Sequence, residues 1–171
     1  MKKITVLCTL CSLLVLLCCA CDKSSSKVTV GFINGLNYSM RPNQVAKLLG
    51  EPIQVKENRA LSPEVFYIYE VELDGVLTQV IVSFLDDKHM LSVVAQADAS
   101  SSECAKKLFD SWKSKEIAAH KDETGYYCGK LQKSSDTDYQ ITLGTEQGAV
   151  GLTVDISVTG SFVKVYSVYM D

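Results

Sequence analysis

The stretch that most constrains the fold is residues 65–85, where Val-Phe-Tyr-Ile-Tyr-Glu-Val-Glu-Leu and Val-Leu-Thr-Gln-Val-Ile-Val-Ser-Phe-Leu are joined by Asp74-Gly75. Asp-Gly between two strand-prone runs calls for a two-residue type I′ turn, and that turn sets the register of the hairpin. Pairing Leu73 with Val76 places Val71 opposite Thr78, Tyr69 opposite Val80, Tyr67 opposite Val82 and Val65 opposite Phe84. One face is then almost wholly apolar and has to cover a core. A second turn at residues 86–89 leads into residues 90–97, and a four-residue loop would pair Phe84 with Leu91, Val82 with Val93 and Val80 with Ala95.

The other face of this meander collects Phe66, Ile68, Glu70, Gln79, Ile81, Ser83, Ser92, Val94 and Gln96. A solvated sheet face usually carries fewer apolar residues. Its ordinary fate is to be covered by the C-terminal half. The alternative is a binding surface built on Phe66, Ile68, Glu70, Gln79, Ile81 and Val94.

Upstream, residues 28–33 can form a short strand before a stretch rich in turn formers. Residues 40–52 then mark both ends of a short amphipathic helix, with Pro42 in the first turn, Val45, Leu48 and Leu49 on one face, Gly50 as the stop and Pro52 beyond it. Arg41 cannot serve as a side-chain acceptor at the N-cap. Downstream, Ser100 and Glu103 resemble a capping box opening a helix with Cys104, Leu108 and Trp112 at helical spacing and Phe109 alongside. Trp112 reads as a core anchor. Residues 113–124 read as a charged connection, followed by strand candidates at 126–132, 139–143, 149–158 and 162–170.

The fold class is therefore α+β, short helices packed on antiparallel sheet, with units at residues 28–98 and 99–171. Both follow the order helix, then strands, which suggests either two tandem helix-plus-meander halves or one larger sheet.

The N-terminus reads as an address. Lys2 and Lys3 form a positive n-region, residues 4–17 an apolar h-region, and residues 18–20 are small, the parts of a secretory signal peptide over residues 1–20. The apolar run is short for a membrane span, which needs about 20 residues. The cysteine at the junction makes the segment resemble the lipobox of bacterial lipoproteins, with Cys21 the modified residue after Ala20 and Cys19 the second candidate. An uncleaved helical anchor, or plain secretion with a free Cys21, are the other readings. The resemblance implies acyl chains such as palmitate on Cys21, and two or more chains anchor stably. It also implies that residues 21–27 act as lipidated cysteine and flexible tether. The domain is thereby expected at a cell membrane, facing the periplasm or the exterior. Asp22 implies retention at an inner membrane wherever the envelope has two.

Loss of the signal removes Lys2 and Lys3, taking 17 basic against 20 acidic residues to 15 against 20, a net charge of −5. That balance argues against nucleic acid as a partner. Of the 7 cysteines, processing at Cys21 leaves only Cys104 and Cys128 unmodified. In an exported domain such a pair suggests one disulfide, contributing about 3.5 kcal/mol by loop entropy. Two buried thiols or a metal pair are the alternatives.

The pattern Met40-x-x-x-Gln44-Val45-x-x-Leu48-Leu49-Gly50-x-Pro52, after a strand and before a meander, resembles the SmpA/OmlA outer-membrane assembly lipoproteins and the beta-lactamase-inhibitor-protein-like domains. The resemblance covers residues 28–97 and departs from the family at Ser39 and Arg41. It implies a helix-and-meander fold; function has to be argued from sites.

Chemistry is sparse. The 2 histidines are His89, in a turn beside Asp86 and Asp87, and His120, in the charged connection. Adjacent turn residues rarely converge on a metal, and Asp136-Thr-Asp138 lacks the glycine and spacing of a calcium loop. No Gly-x-Ser-x-Gly or phosphate-binding glycine loop occurs. The reading is a non-catalytic, cofactor-free module of the cell envelope that binds an envelope or secreted protein. An inhibitor of a secreted hydrolase and an envelope enzyme with an unrecognised site are the alternatives.

Overall fold

The computed structural model describes residues 28–58, 64–85, 88–123, 125–145 and 151–170. These form helices α1 (Pro42–Leu49) and α2 (Ser102–His120) and strands β1 (Gln54–Asn58), β2 (Glu64–Leu73), β3 (Val76–Leu85), β4 (His89–Asp98), β5 (Tyr126–Cys128), β6 (Gln132–Lys133), β7 (Asp138–Thr145), β8 (Gly151–Thr159) and β9 (Phe162–Met170). All strands join one antiparallel sheet in the order β1-β2-β3-β4-β9-β8-β7-β5, with β6 on β7. The chain is thus α+β with one large sheet. The C-terminal strands extend the first meander edge to edge through β4 and β9, so the expectation that they cover its second face is overturned.

The hairpin forms in the expected register from Leu73↔Val76 to Val65↔Phe84. Asp74 and Gly75 hold φ of 53° and 78°, the left-handed pair that a type I′ turn needs. In the next hairpin Val82↔Val93 and Val80↔Ala95 pair as expected, but Phe84 meets Met90 and not Leu91 across a register shift at Ser83 and Phe84. The shift turns Met90 into the core, where it is buried with Phe84, and leaves Leu91 half-buried.

In α1, Pro42 opens the helix and Gly50 ends it at φ 89°. Arg41 caps nothing with its own side chain; its N–H donates to the Gln44 Oε1 at 2.9 Å. Three other expectations are corrected. Residues 28–33 make no strand beyond the Thr29↔Asn37 bridge. They turn back as a loop in which Val30 N–H donates to the Leu36 carbonyl at 2.9 Å. Residues 113–120 continue α2, whose N-cap is Ser101, accepting from Cys104 N–H at 3.2 Å, and not Ser100. The expected strand at 126–132 splits into β5 and β6 because Gly129 closes onto the Thr142 carbonyl, which a Cβ there would meet at 2.6 Å.

The core lies on one face. Tyr69, Val80, Ala95, Val165, Ile156 and Ile141 form a continuous row across six strands. Leu108, Phe109 and Trp112 of α2 and Val30, Phe32, Leu36 and Tyr38 of the N-terminal loop pack on that face in one buried cluster.

Candidate functional site

Because strand residues alternate, the face opposite the core carries its own rows. Ile68, Ile81, Val94 and Tyr166 pair side by side across β2, β3, β4 and β9. Phe66, Ser83, Ser92 and Val168 make the next row, and Glu70, Gln79, Gln96 and Lys164 a polar one. The six expected binding residues are therefore brought together on a single surface. None belongs to the core cluster, although Ile68 is only 7% exposed. The polar rows are internally bonded, Gln96 Nε2 donating to Gln79 Oε1 at 2.6 Å and Ser83 and Ser92 hydroxyls meeting at 2.8 Å. Tyr166, Phe162 and Val168 escaped the sequence reading because only the β4–β9 pairing, between strands far apart in the chain, adds them to this surface; Tyr166 and Phe162 are 42% and 40% exposed.

A second, unexpected constellation sits at the end of α2. Glu116 and His120 are completely buried. His120 Nδ1 lies 2.8 Å from Glu123 Oε1, and Nε2 lies 3.1 Å from the Thr29 carbonyl and 3.2 Å from Glu116 Oε1. Acceptors on both sides of the ring favour hydrogen on both nitrogens, the imidazolium form. Burial by itself would lower its pKa; Glu116 and Glu123 outweigh that and push it from 6.5 up to about 9. Tyr126 stacks on the ring with centroids 5.3 Å apart, and burial raises its phenol above the ordinary range.

Glu116 Oε2 accepts from Phe32 N–H at 3.2 Å, so the pair fastens the N-terminal loop to α2. The loop approaches so closely that a Cβ on Gly31 would lie 2.6 Å from the Glu116 Cα and 2.9 Å from the Ala119 Cβ. Gly31→Ala is therefore expected to destabilise the domain by about 1–3 kcal/mol, the overpacking range. Denaturant unfolding measures it, and a change below about 0.5 kcal/mol would mean that the loop sits less tightly on the helix.

The remaining expected residues stay apart. Cys21 and residues 86–87 lie outside the described residues. Cys104 and Cys128 are free thiols, which corrects the expected bridge. Cys104 sits in the first turn of α2, about 24 Å along the axis from His120, while Cys128 is two residues from Tyr126, which stacks on that histidine. Disulfides need Cα atoms within about 7 Å. The Cys104 thiol is held below its usual range by the Ser100 hydroxyl, 3.4 Å away, and by Ser101. His89 is exposed at the start of β4, and Asp138, the first residue of β7, accepts from Gly160 N–H at 3.0 Å. Among the described residues no His, Cys, Asp and Glu group could hold a metal ion.

No protein-family model, curated protein or solved structure matched the chain.

Proposed function

We propose that this chain is a membrane-anchored, extracytoplasmic lipoprotein whose domain binds an envelope or secreted protein without catalysis, and that its open sheet face is the binding surface. The observation that carries the reading is the row Ile68, Ile81, Val94 and Tyr166, on the face away from the core cluster. An apolar row that is buried at Ile68, half-buried at Ile81 and Val94 and exposed at the aromatic Tyr166, with a polar margin, matches the composition of interface centres. The mature net charge of −5 favours a protein partner over nucleic acid. No described helix is long and apolar enough to cross a membrane; the reading of membrane attachment rests on the lipobox-like sequence at Cys21.

The strand order supports a finer reading of two helix-plus-meander halves, each ending in the strand, β4 or β9, by which it joins the other. This arrangement and the Met40 to Pro52 pattern are the grounds for placing the chain beside the SmpA/OmlA and inhibitor-protein-like domains. On that placement a secreted hydrolase is one class of partner, tested by inhibition screens with the purified domain.

The direct test is crosslinking in intact cells followed by affinity purification, comparing wild type with Tyr166→Glu and Ile81→Glu. One stoichiometric partner, lost in both variants while melting temperatures hold, is the expected result. Retention of that partner by Tyr166→Glu, whose exposed position keeps folding safe, would remove this face from the interface.

A further inference from the structure

The chain enters the described fold at one end of the sheet, beside Tyr38, whose N–H donates to the Val28 carbonyl at 2.9 Å. Tyr38 also donates its hydroxyl to Ser167 at 2.7 Å and places its ring 5.4 Å from that of Tyr169. Around this point Tyr38, His89, Met90, Leu91, Tyr169 and Met170 line a cavity of about 380 Å³. Of these Tyr38 is buried, Leu91 and Tyr169 are half-buried, and Met170 is 50% exposed. The opposite end of β9, at Phe162 beside Asp98, lies about 27 Å away at strand rise.

Seven Cα steps separate Cys21 from Val28, a reach of at most about 24 Å. An anchor at Cys21 thus holds the entry end of the sheet near the bilayer. We propose that this end is a lipid-contacting surface, with Leu91, Tyr169 and Met170 resting on the headgroup–acyl boundary beside the anchor; the inference depends on the lipid-anchor reading above. Tyrosine suits that boundary, having an apolar ring and a polar tip, and the thioether of Met170 is soft and apolar. The chain carries Asp86, Asp87 and Asp171 next to this end in sequence and a mature charge of −5. Attraction to anionic headgroups is therefore not the basis of contact, and a zwitterionic bilayer suffices with little dependence on salt. The strands then stand away from the membrane. The open face and the turns at residues 74–75 and 159–161 remain free for a partner.

The test uses the full, natively lipidated chain with Cys104→Ser and Cys128→Ser, bearing one fluorophore at Lys88→Cys or at Thr159→Cys, in phosphatidylcholine vesicles containing brominated acyl chains. Flotation with the vesicles and quenching several-fold stronger at position 88 than at 159 is the expected result. Adding Leu91→Glu and Met170→Glu should bring the two positions close together while flotation and melting hold. If the chain floats but both positions quench alike, the orientation is wrong although the anchor stands. Quenching at 88 that survives the double glutamate variant would mean that the tether alone brings this end near, and the contact surface is overturned. A chain that fails to float removes the anchor and this proposal with it.

Discussion

Replacing Glu116 with Ala lowers the unfolding free energy by about 3–5 kcal/mol, the range for removing one partner from a buried charge pair. Two groups lose their counterpart at once. The Phe32 N–H, 3.2 Å from Glu116 Oε2, is left without its acceptor, and His120 keeps the Thr29 carbonyl but as carboxylate only Glu123, which is 42% exposed at its side chain. Glu116→Gln retains an acceptor for Phe32 and should cost less. Denaturant titration of both variants checks this, and equal losses would show that shape rather than charge matters at the position.

The same pair sets a pH dependence. The folded-state pKa of His120 lies above its ordinary 6.5, at about 9. Its contribution is therefore fully present below pH 6.5 and is lost as the pH rises through 9, where the folded state must give up a proton that it binds more tightly than the unfolded chain does. Wild type should lose stability across that window, and Glu116→Gln should flatten the profile. A wild-type profile that is level from pH 6 to 9.5 would mean that His120 is neutral in the fold.

Trp112→Ala is the second large effect, also about 3–5 kcal/mol. Trp112 is fully buried in the middle of α2, with its ring 5.9 Å from that of Phe32. Its removal opens a void between helix, N-terminal loop and sheet at once. Domain stabilities are typically 5–15 kcal/mol, so either variant removes a large share. As the only tryptophan, Trp112 also reports wild-type unfolding by its emission, whereas the variant is followed by circular dichroism. A loss under about 1 kcal/mol would place the indole at the margin of the core.

Trp112 was legible as a core anchor, whereas Glu116 and His120 lie in the C-terminal turns of α2, the stretch that local reading missed. Residues 113–124 read as a charged connection because Glu116 and His120 occupy the positions where helical periodicity looks for apolar side chains. Their burial depends on Thr29 and Phe32, more than 80 positions upstream, and no window along the chain can register that. Similarly, residues 28–33 have strand-prone side chains, yet their partners are α2 and residues 36–38, so the segment folds as a loop.

By contrast, what depends on neighbours in the chain was legible. Asp74-Gly75 set the register of β2 and β3 because a two-residue turn admits only one pairing. Pro42 and Gly50 bounded α1 because proline's fixed φ and missing N–H suit a first helical turn and glycine accepts the positive φ that ends one. The same alternation sorted the six residues of the open face correctly onto one surface. Tertiary structure alone decided that β4 would pair with β9, which adds Tyr166 to that face, and that two thiols placed by different elements would stay apart. Local turn and cap chemistry acts within a few residues, whereas the edge-to-edge choice between distant strands and the matching of a buried charge to its partner are settled only when the whole core closes.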